Sequence, residues 1–295
     1  MKKLILLFIT TTTGLLSFGQ TDTCKNCPTA DTITIGNILI IKKHNKNSKN
    51  KDSVTTDIQM GRNTKERKEA SKVSTNWWIM DFGFSNYSDQ TNYANTGSYL
   101  VNRPGSPAFS KDDFILRTGK SINVNIWFFM QKLALIKQNV NLKYGLGIEL
   151  NNYRYKSDIS YKERGMIPYS NGLQTNSPFI FRDSITFSKN KLAADYLTVP
   201  IMLNFASTPT NDKKGISLSL GVSGGYLYSQ RNKQKSKERG KERNKGDYDL
   251  ERFKFSYIAE LGLGPVKLYG SYSPKSMYAH NLNIKPFNIG IRLSK

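Results

Sequence analysis

From Val140 to Leu150 the chain alternates without a break. Val140, Leu142, Tyr144, Leu146, Ile148 and Leu150 fall on one parity, and Asn141, Lys143, Gly145, Gly147 and Glu149 on the other. Successive side chains of a strand point to opposite faces, so this period makes one oily face and one small or polar face. The pattern recurs: Ile122, Val124, Ile126 and Phe128 alternate with Asn123 and Asn125, and Phe287, Ile289, Ile291 and Leu293 alternate with Asn288, Gly290 and Arg292. Strands are expected at 77–87, 117–129, 138–155, 192–205, 215–229, 250–263, 265–273 and 284–293. A soluble barrel buries the oily parity, whereas a barrel in a bilayer turns it outward around a polar lumen.

The second parity separates these two outcomes. Eight strands enclose too little volume to hold all of these Leu, Ile and Phe side chains, while Asn, Ser, Gly, Lys and Glu suit a narrow lumen. A two-sheet sandwich is the competitor, since it buries such stripes between its sheets. Connection lengths oppose it: long at 88–116, short at 130–137, long at 156–191, short at 206–214, long at 230–249, minimal at 263–264 and medium at 274–283. Membrane barrels carry short turns at one rim and long loops at the other. Trp77, Trp78, Trp127 and Phe128 are expected at the short-turn rim, and Tyr87, Tyr153, Tyr155, Tyr226, Tyr228 and Tyr272 at the other, as two interfacial girdles. A mean hydropathy of −0.51 excludes a helical membrane bundle. The expected fold is all-β: an eight-stranded antiparallel up-and-down transmembrane barrel with short periplasmic turns and long extracellular loops.

Ahead of the barrel, residues 1–19 read as a signal peptide, with Lys2 and Lys3, the apolar run 4–9, and Ser17 and Gly19 before the cleavage point. That run is too short to span a bilayer. Residues 20–75 read as a polar periplasmic leader with one short strand over 32–41, and 76–295 as the barrel. Cys24 and Cys27 form a C-x-x-C pair with no second pair to complete a metal site, and His44 stands alone in a polar stretch. In an oxidising compartment they read as a local disulfide or two idle thiols. No metal or cofactor is expected.

The formal charge of +22 is concentrated in Arg231, Lys233, Lys235, Lys237, Arg239, Lys241, Arg243 and Lys245, with Glu238 and Glu242 between them. Such a run is expected to be a solvated, mobile extracellular loop. Export removes nucleic acid from the candidate partners. The polyanions within reach are lipopolysaccharide and other surface polymers, and a loop with no specific ligand fits equally well.

With these features on one chain, the segments GLGIELNNYRY (145–155), DYLTVPIMLNF (195–205) and GVSGGYLY (221–228) resemble the PorT-like outer-membrane β-barrel family of the Bacteroidetes over roughly residues 76–295. The resemblance implies the barrel fold, an outer-membrane location among membrane lipid, and envelope or secretion proteins as partners. It implies no assigned activity.

Projected inward, the strands carry Asp81, Lys143, Glu149, Lys254, Glu260, Lys267 and Arg292. A two-residue turn at Leu263-Gly264 would set Glu260 opposite Lys267, and closure of the barrel would bring Arg292 near Asp81. Charges in so narrow a lumen must pair, which reads as a structural plug; a proton or ion path is the alternative. Surface binding or envelope and secretion support through the long loops is the function expected, with a small channel and a hydrolase as alternatives. Hydrolase chemistry would centre on His280 with Ser276 or Ser273, and no acid partner is evident in the sequence.

Overall fold

The computed structural model describes residues 30–35, 38–44, 54–60, 72–136, 139–208, 215–264 and 266–293. Its contacts divide the chain into two units, 1–69 and 70–295. The expected signal peptide, Cys24 and Cys27 lie outside the described residues. In the first unit, Ala30–Ile35, Ile38–His44 and Val54–Met60 form a three-stranded antiparallel sheet, where the sequence pointed to a single strand.

The second unit is a ring of eight strands: β1 (Val73–Asp89), β2 (Ile122–Ile136), β3 (Val140–Arg154), β4 (Lys189–Ala206), β5 (Ile216–Lys235), β6 (Phe253–Leu263), β7 (Val266–Tyr272) and β8 (Ile284–Leu293). Each pairs antiparallel with the next in sequence, and β8 pairs back onto β1 through Ile291↔Phe82 and Arg292↔Asp81. Closure leaves the ring no free edge, the condition for strands to cross hydrocarbon with every backbone donor satisfied.

The oily parity faces out. Phe84 is 51%, Ile201 51% and Ile289 62% exposed, whereas Asn123, Asn151 and Ser219 are 0% exposed. A soluble protein would have these values the other way round. At about 25 cal/mol per Å² of apolar area, so continuous an outer band is stable only against lipid.

Two local features depart from simple alternation near the short-turn rim. The β1–β2 register holds from Trp77↔Phe129 to Ile79↔Trp127, with Trp78 and Phe128 opposite each other, but β2 slips against β3 between Trp127 and Phe129, and Trp78 takes a left-handed φ of 54°. This bulge turns two successive indoles outward, at 66% and 67% exposure. Trp127 keeps the parity of Asn123 and Asn125 and is buried in the lumen rather than placed in the outer girdle, and beyond the slip Met130 turns inward as well. The expected β6–β7 turn is one residue out as well: Leu263 pairs with Val266, so Gly262 faces Lys267 and Glu260 faces Tyr269. Gly264, at φ 61°, supplies the left-handed position.

At the long-loop rim, Tyr226, Tyr228 and Tyr272 are exposed on the wall, but Tyr153 and Tyr155 are buried and Tyr87 is half-buried. The latter belong to a folded head made by the long loops. In it, Phe179–Arg182 pairs antiparallel with Ile159–Lys162 and parallel with Leu100–Val101. Tyr99, Phe114, Tyr155, Tyr161, Tyr248 and Tyr278 pack in one apolar core over the barrel mouth. Phenols link the segments: Tyr99 Oη donates to the Tyr248 carbonyl at 2.8 Å, and Tyr161 Oη lies 2.6 Å from Tyr155 Oη and 2.8 Å from Tyr278 Oη. Burial holds the Tyr99, Tyr161 and Tyr278 phenols well above their ordinary pKa, so these are neutral hydrogen bonds.

Closure between β8 and β1 relies on Gly290 opposite Gly83. A Cβ on Gly83 would meet Tyr269 Oη at 2.5 Å, and one on Gly290 would meet the Tyr269 ring at 2.7 Å and Gly83 Cα at 2.5 Å. The two glycines make the slot for that ring. Gly290→Val is therefore expected to cost at least about 1–3 kcal/mol by overpacking. Its readout is a lower temperature for the loss of fast gel mobility in unboiled samples; an unchanged temperature would show that Tyr269 does not need the slot.

Candidate functional site

The lumen is filled in layers. At the short-turn end Ile79, Trp127, Met130 and Met202 form a small apolar floor. Above it runs a chain of charges contributed by four strands. Arg292 on β8 donates to Asp81 on β1 through Nε (2.7 Å to Oδ1) and Nη2 (2.8 Å to Oδ2), and through Nη1 to Glu260 on β6. Glu260 also accepts both bonds of Lys143 Nζ from β3, at 2.7 and 2.6 Å. The Trp127 indole N–H donates to Asp81 at 2.7 Å, and the Arg292 guanidinium lies 5.5 Å from the Trp127 ring centroid. Two carboxylates and two cations thus neutralise one another across the bore.

The other inward charges sit around this chain. Lys254 pairs with Glu149 and lies 5.2 Å from the Tyr196 ring centroid. Glu149 also accepts from Asn151 at 2.9 Å and Asn288 at 3.2 Å. Lys267 is buried opposite Arg292 in the β7–β8 register. Asn123 bridges Asn125 and Asn151 at 2.9 Å each and accepts from Tyr269 Oη. A cavity of about 30 Å³ remains between Trp127, Glu260, Tyr269 and Arg292, room for a water or two. With the aromatic head above and the apolar floor below, the described residues leave no open bore.

The basic run is not a mobile loop but a β-hairpin. β5 continues through Lys235, and Lys241–Lys245 returns along it. Its parity explains why. Asn232, Gln234 and Ser236 are buried on one side, while Arg231, Lys233 and Lys235 take the other. Lower on β5, Tyr226 and Tyr228 face out. The register with β4 then shifts between Tyr196↔Leu227 and Asp195↔Ser229, so the odd-numbered cations share the outward side.

The hairpin brings together residues that the sequence keeps apart. Arg154 on β3 lies opposite Lys191 on β4, Lys191 opposite Lys233 on β5, and Lys233 opposite Arg243 on the return strand. A second row is Lys189, Lys235 and Lys241, and a third carries Arg231 and Lys245. Arg154, Lys233 and Arg243 of the first row and the whole second row line a concavity of about 640 Å³ in which Glu242 is the acidic member. Asp195 is occupied by its ion pair with Arg231. Arg154 donates through Nη2 to the Ser188 carbonyl at 2.9 Å, and Lys191 to Asn152 at 2.6 Å, but Nε of Arg154 and Nε of Arg231 have no partner. Of the remaining charges of the run, Arg239 in the turn pairs with Asp183 at 2.8 Å, and Lys237 is exposed. Arg154 escaped the sequence reading because it ends a strand assigned to the membrane, and Lys189 and Lys191 because they fell in the long connection expected over 156–191.

His280 has the acid partner that the sequence concealed. Its Nδ1 lies 2.8 Å from Asp249 Oδ1, and that hydrogen bond, then the Asp249 charge, raises its pKa. Neither Ser276 nor Ser273 completes a hydrolytic site with it. Ser276 Oγ donates to the Leu282 carbonyl and accepts from Tyr278 and Ile284 N–H groups, and Ser273 is buried against Ser256 and the Phe255 carbonyl. His44 closes the second strand of the N-terminal sheet.

Two outcomes follow. Glu260→Gln leaves Lys143 and Arg292 with an uncompensated buried charge, at a cost of about 3–5 kcal/mol. Thermal unfolding followed by gel mobility is expected to show a marked loss, partly restored by adding Lys143→Met. The His280–Asp249 contact is fully present below the ordinary histidine pKa of about 6.5 and is lost as pH rises through the raised value. An NMR titration is expected to place His280 above that value, with a fall in Asp249→Asn; an unshifted midpoint in both proteins would contradict the contact.

The family model described as "Outer membrane protein beta-barrel domain" matches residues 81–274, from β1 through the end of β7. None of the curated proteins compared with the chain matches it. Among solved structures, the attachment invasion locus protein Ail of Yersinia pestis is similar at 9% identity and TM-score 0.28, covering 74% of this chain and 98% of Ail. A triple mutant of the Rhodopseudomonas blastica porin is similar at 10% identity and TM-score 0.17, covering 76% of this chain and all of the porin chain (100%). The family match takes in most of a ring whose oily wall faces out, and by it this chain belongs to the outer membrane protein β-barrel domain family and resides in the outer membrane.

Proposed function

We propose that this protein is a non-conducting, non-enzymatic barrel that holds a folded head at the cell surface and binds anionic envelope components through the basic rows. The registered rows are the observation that carries this reading. Like charges placed directly opposite one another on adjacent strands repel, and Arg154, Lys191, Lys233 and Arg243 do so across four strands with Asp195 already engaged. A surface with no ligand would gain by interleaving acids there. The plugged lumen argues against a channel, and the engaged Ser276 and Ser273 argue against a hydrolase. Within its family, the 145–155, 195–205 and 221–228 segments favour a PorT-like assignment, and the signal peptide at 1–19 and the periplasmic leader at 20–75 belong to the same proposal.

Binding of purified lipopolysaccharide to the detergent-solubilised protein tests the reading. The wild type is expected to bind with an affinity that falls steeply as salt rises. Lys191→Gln, Lys233→Gln and Arg243→Gln combined are expected to weaken it at least about tenfold, on the scale of charge-assisted hydrogen bonds. Planar bilayers holding the wild type are expected to show no unitary conductance. Salt-insensitive binding that survives the triple substitution would refute the surface-binding reading, and steady conductance would refute the sealed lumen.

A further inference from the structure

The cationic rows face sideways. On β4, Lys189 and Lys191 share parity with Leu197, Val199 and Ile201 of the lipid-facing wall, and on β3 Arg154 shares parity with Leu150 and Ile148. The shift at Tyr228 brings the β5 cations to the same side, directly above the exposed Tyr226 and Tyr228. Tyrosines at such a position mark the level where hydrocarbon gives way to headgroups. The rows therefore stand at headgroup height, on the wall, rather than on the crown of the head.

From this placement we infer that the rows form a binding site for the phosphate groups of lipids in the outer leaflet of the same membrane, held by direct contact and not through bridging divalent cations. The inference rests on the surface-binding reading and names its partner. Four points support it. The row from Arg154 to Arg243 crosses three strand spacings, about 14 Å at roughly 4.8 Å each, long enough for more than one phosphate. Its concavity of about 640 Å³ lies within the range of small-ligand sites, roughly 300–1,000 Å³. The exposed guanidinium of Arg243 at the end of the row is a planar fork of the kind that phosphate oxygens accept from in pairs. Anions between the rows would also relieve the lateral repulsion of opposed cations. Phosphates of neighbouring lipids repel one another in the same way, so each surface supplies what the other lacks, and no Mg²⁺ or Ca²⁺ is required at the contact.

The experiment places the full mature chain in nanodiscs of phosphatidylcholine doped with either bisphosphorylated lipid A or its dephosphorylated form, in EDTA. Glycolipid retained after mild extraction is counted by native mass spectrometry. The wild type is expected to retain the phosphorylated form at least about tenfold more strongly. Lys191→Gln, Lys233→Gln and Arg243→Gln combined are expected to fall to the dephosphorylated level, whereas Lys191→Arg with Lys233→Arg retains wild-type selectivity. Lys111→Gln with Lys120→Gln, in the head but outside the rows, is expected to change nothing. Unboiled gel mobility verifies that every variant is folded. Equal retention of the two lipids, selectivity that vanishes in EDTA, or an unaffected triple variant overturns the inference. Inorganic polyphosphate added in solution separates the two levels of the argument. If it binds through the same three residues while lipid A is not retained, the lipid source is wrong and surface binding stands; if neither binds, both fall.

Discussion

The Arg292 guanidinium is the point on which the barrel converges. It sits at the seam between the last strand and the first, where the chain must find its own beginning to leave no open edge. One face of the fork grips Asp81 across the seam, and the third nitrogen reaches over the bore to Glu260, which in turn fixes Lys143. The same side chain thus joins β8 to β1 and ties both to β6 and β3. A bore of this width cannot hydrate isolated charges, so the network is complete or the ring is strained. The apolar floor and the aromatic head can close over the lumen because the Asp81, Lys143, Glu149, Lys254, Glu260 and Arg292 charges between them are paired.

Much of this was legible in the residues. Period-two alternation gives the ring, its direction and its inward charges, because the pleat converts parity directly into facing. It fails wherever parity slips. The slip at Trp78 and Phe128 turns Trp77 out to the wall and Met130 in to the lumen, and a left-handed φ at a tryptophan marks it. The β6–β7 turn falls one residue later than its composition suggested, and Glu260 thereby faces Tyr269 and reaches Lys143 and Arg292 instead of a neighbouring lysine. Such slips are decided by how two strands fit each other, which no single segment records.

The basic hairpin is the sharper lesson. Charge density alone points to a solvated loop, yet the run alternates Arg231, Lys233 and Lys235 with Asn232, Gln234 and Ser236, the same period as the oily strands with different chemistry. The amides are buried beneath the head: Gln234 donates to Ser160 Oγ at 2.7 Å, and Asn190 to the Ile159 carbonyl at 2.6 Å. Alternation of charged with neutral polar residues is thus a strand signal in its own right. The head core, by contrast, gathers Tyr99, Tyr161, Tyr248 and Tyr278 from separate loops, and no local pattern in any of them announces the meeting.

The paired indoles at the lower rim bear on how the molecule floats. Trp77 and Trp78 project side by side from one level of the wall, and Tyr226 and Tyr228 project from the opposite rim. A cylinder moored at both waterlines cannot ride up or sink without dragging an aromatic ring into the wrong medium. Its draught is therefore fixed by the bulge as much as by strand length. Were Trp78 to fall back into ordinary alternation, one mooring would swing into the bore, and the cationic flank above would lose its constant height over the lipid.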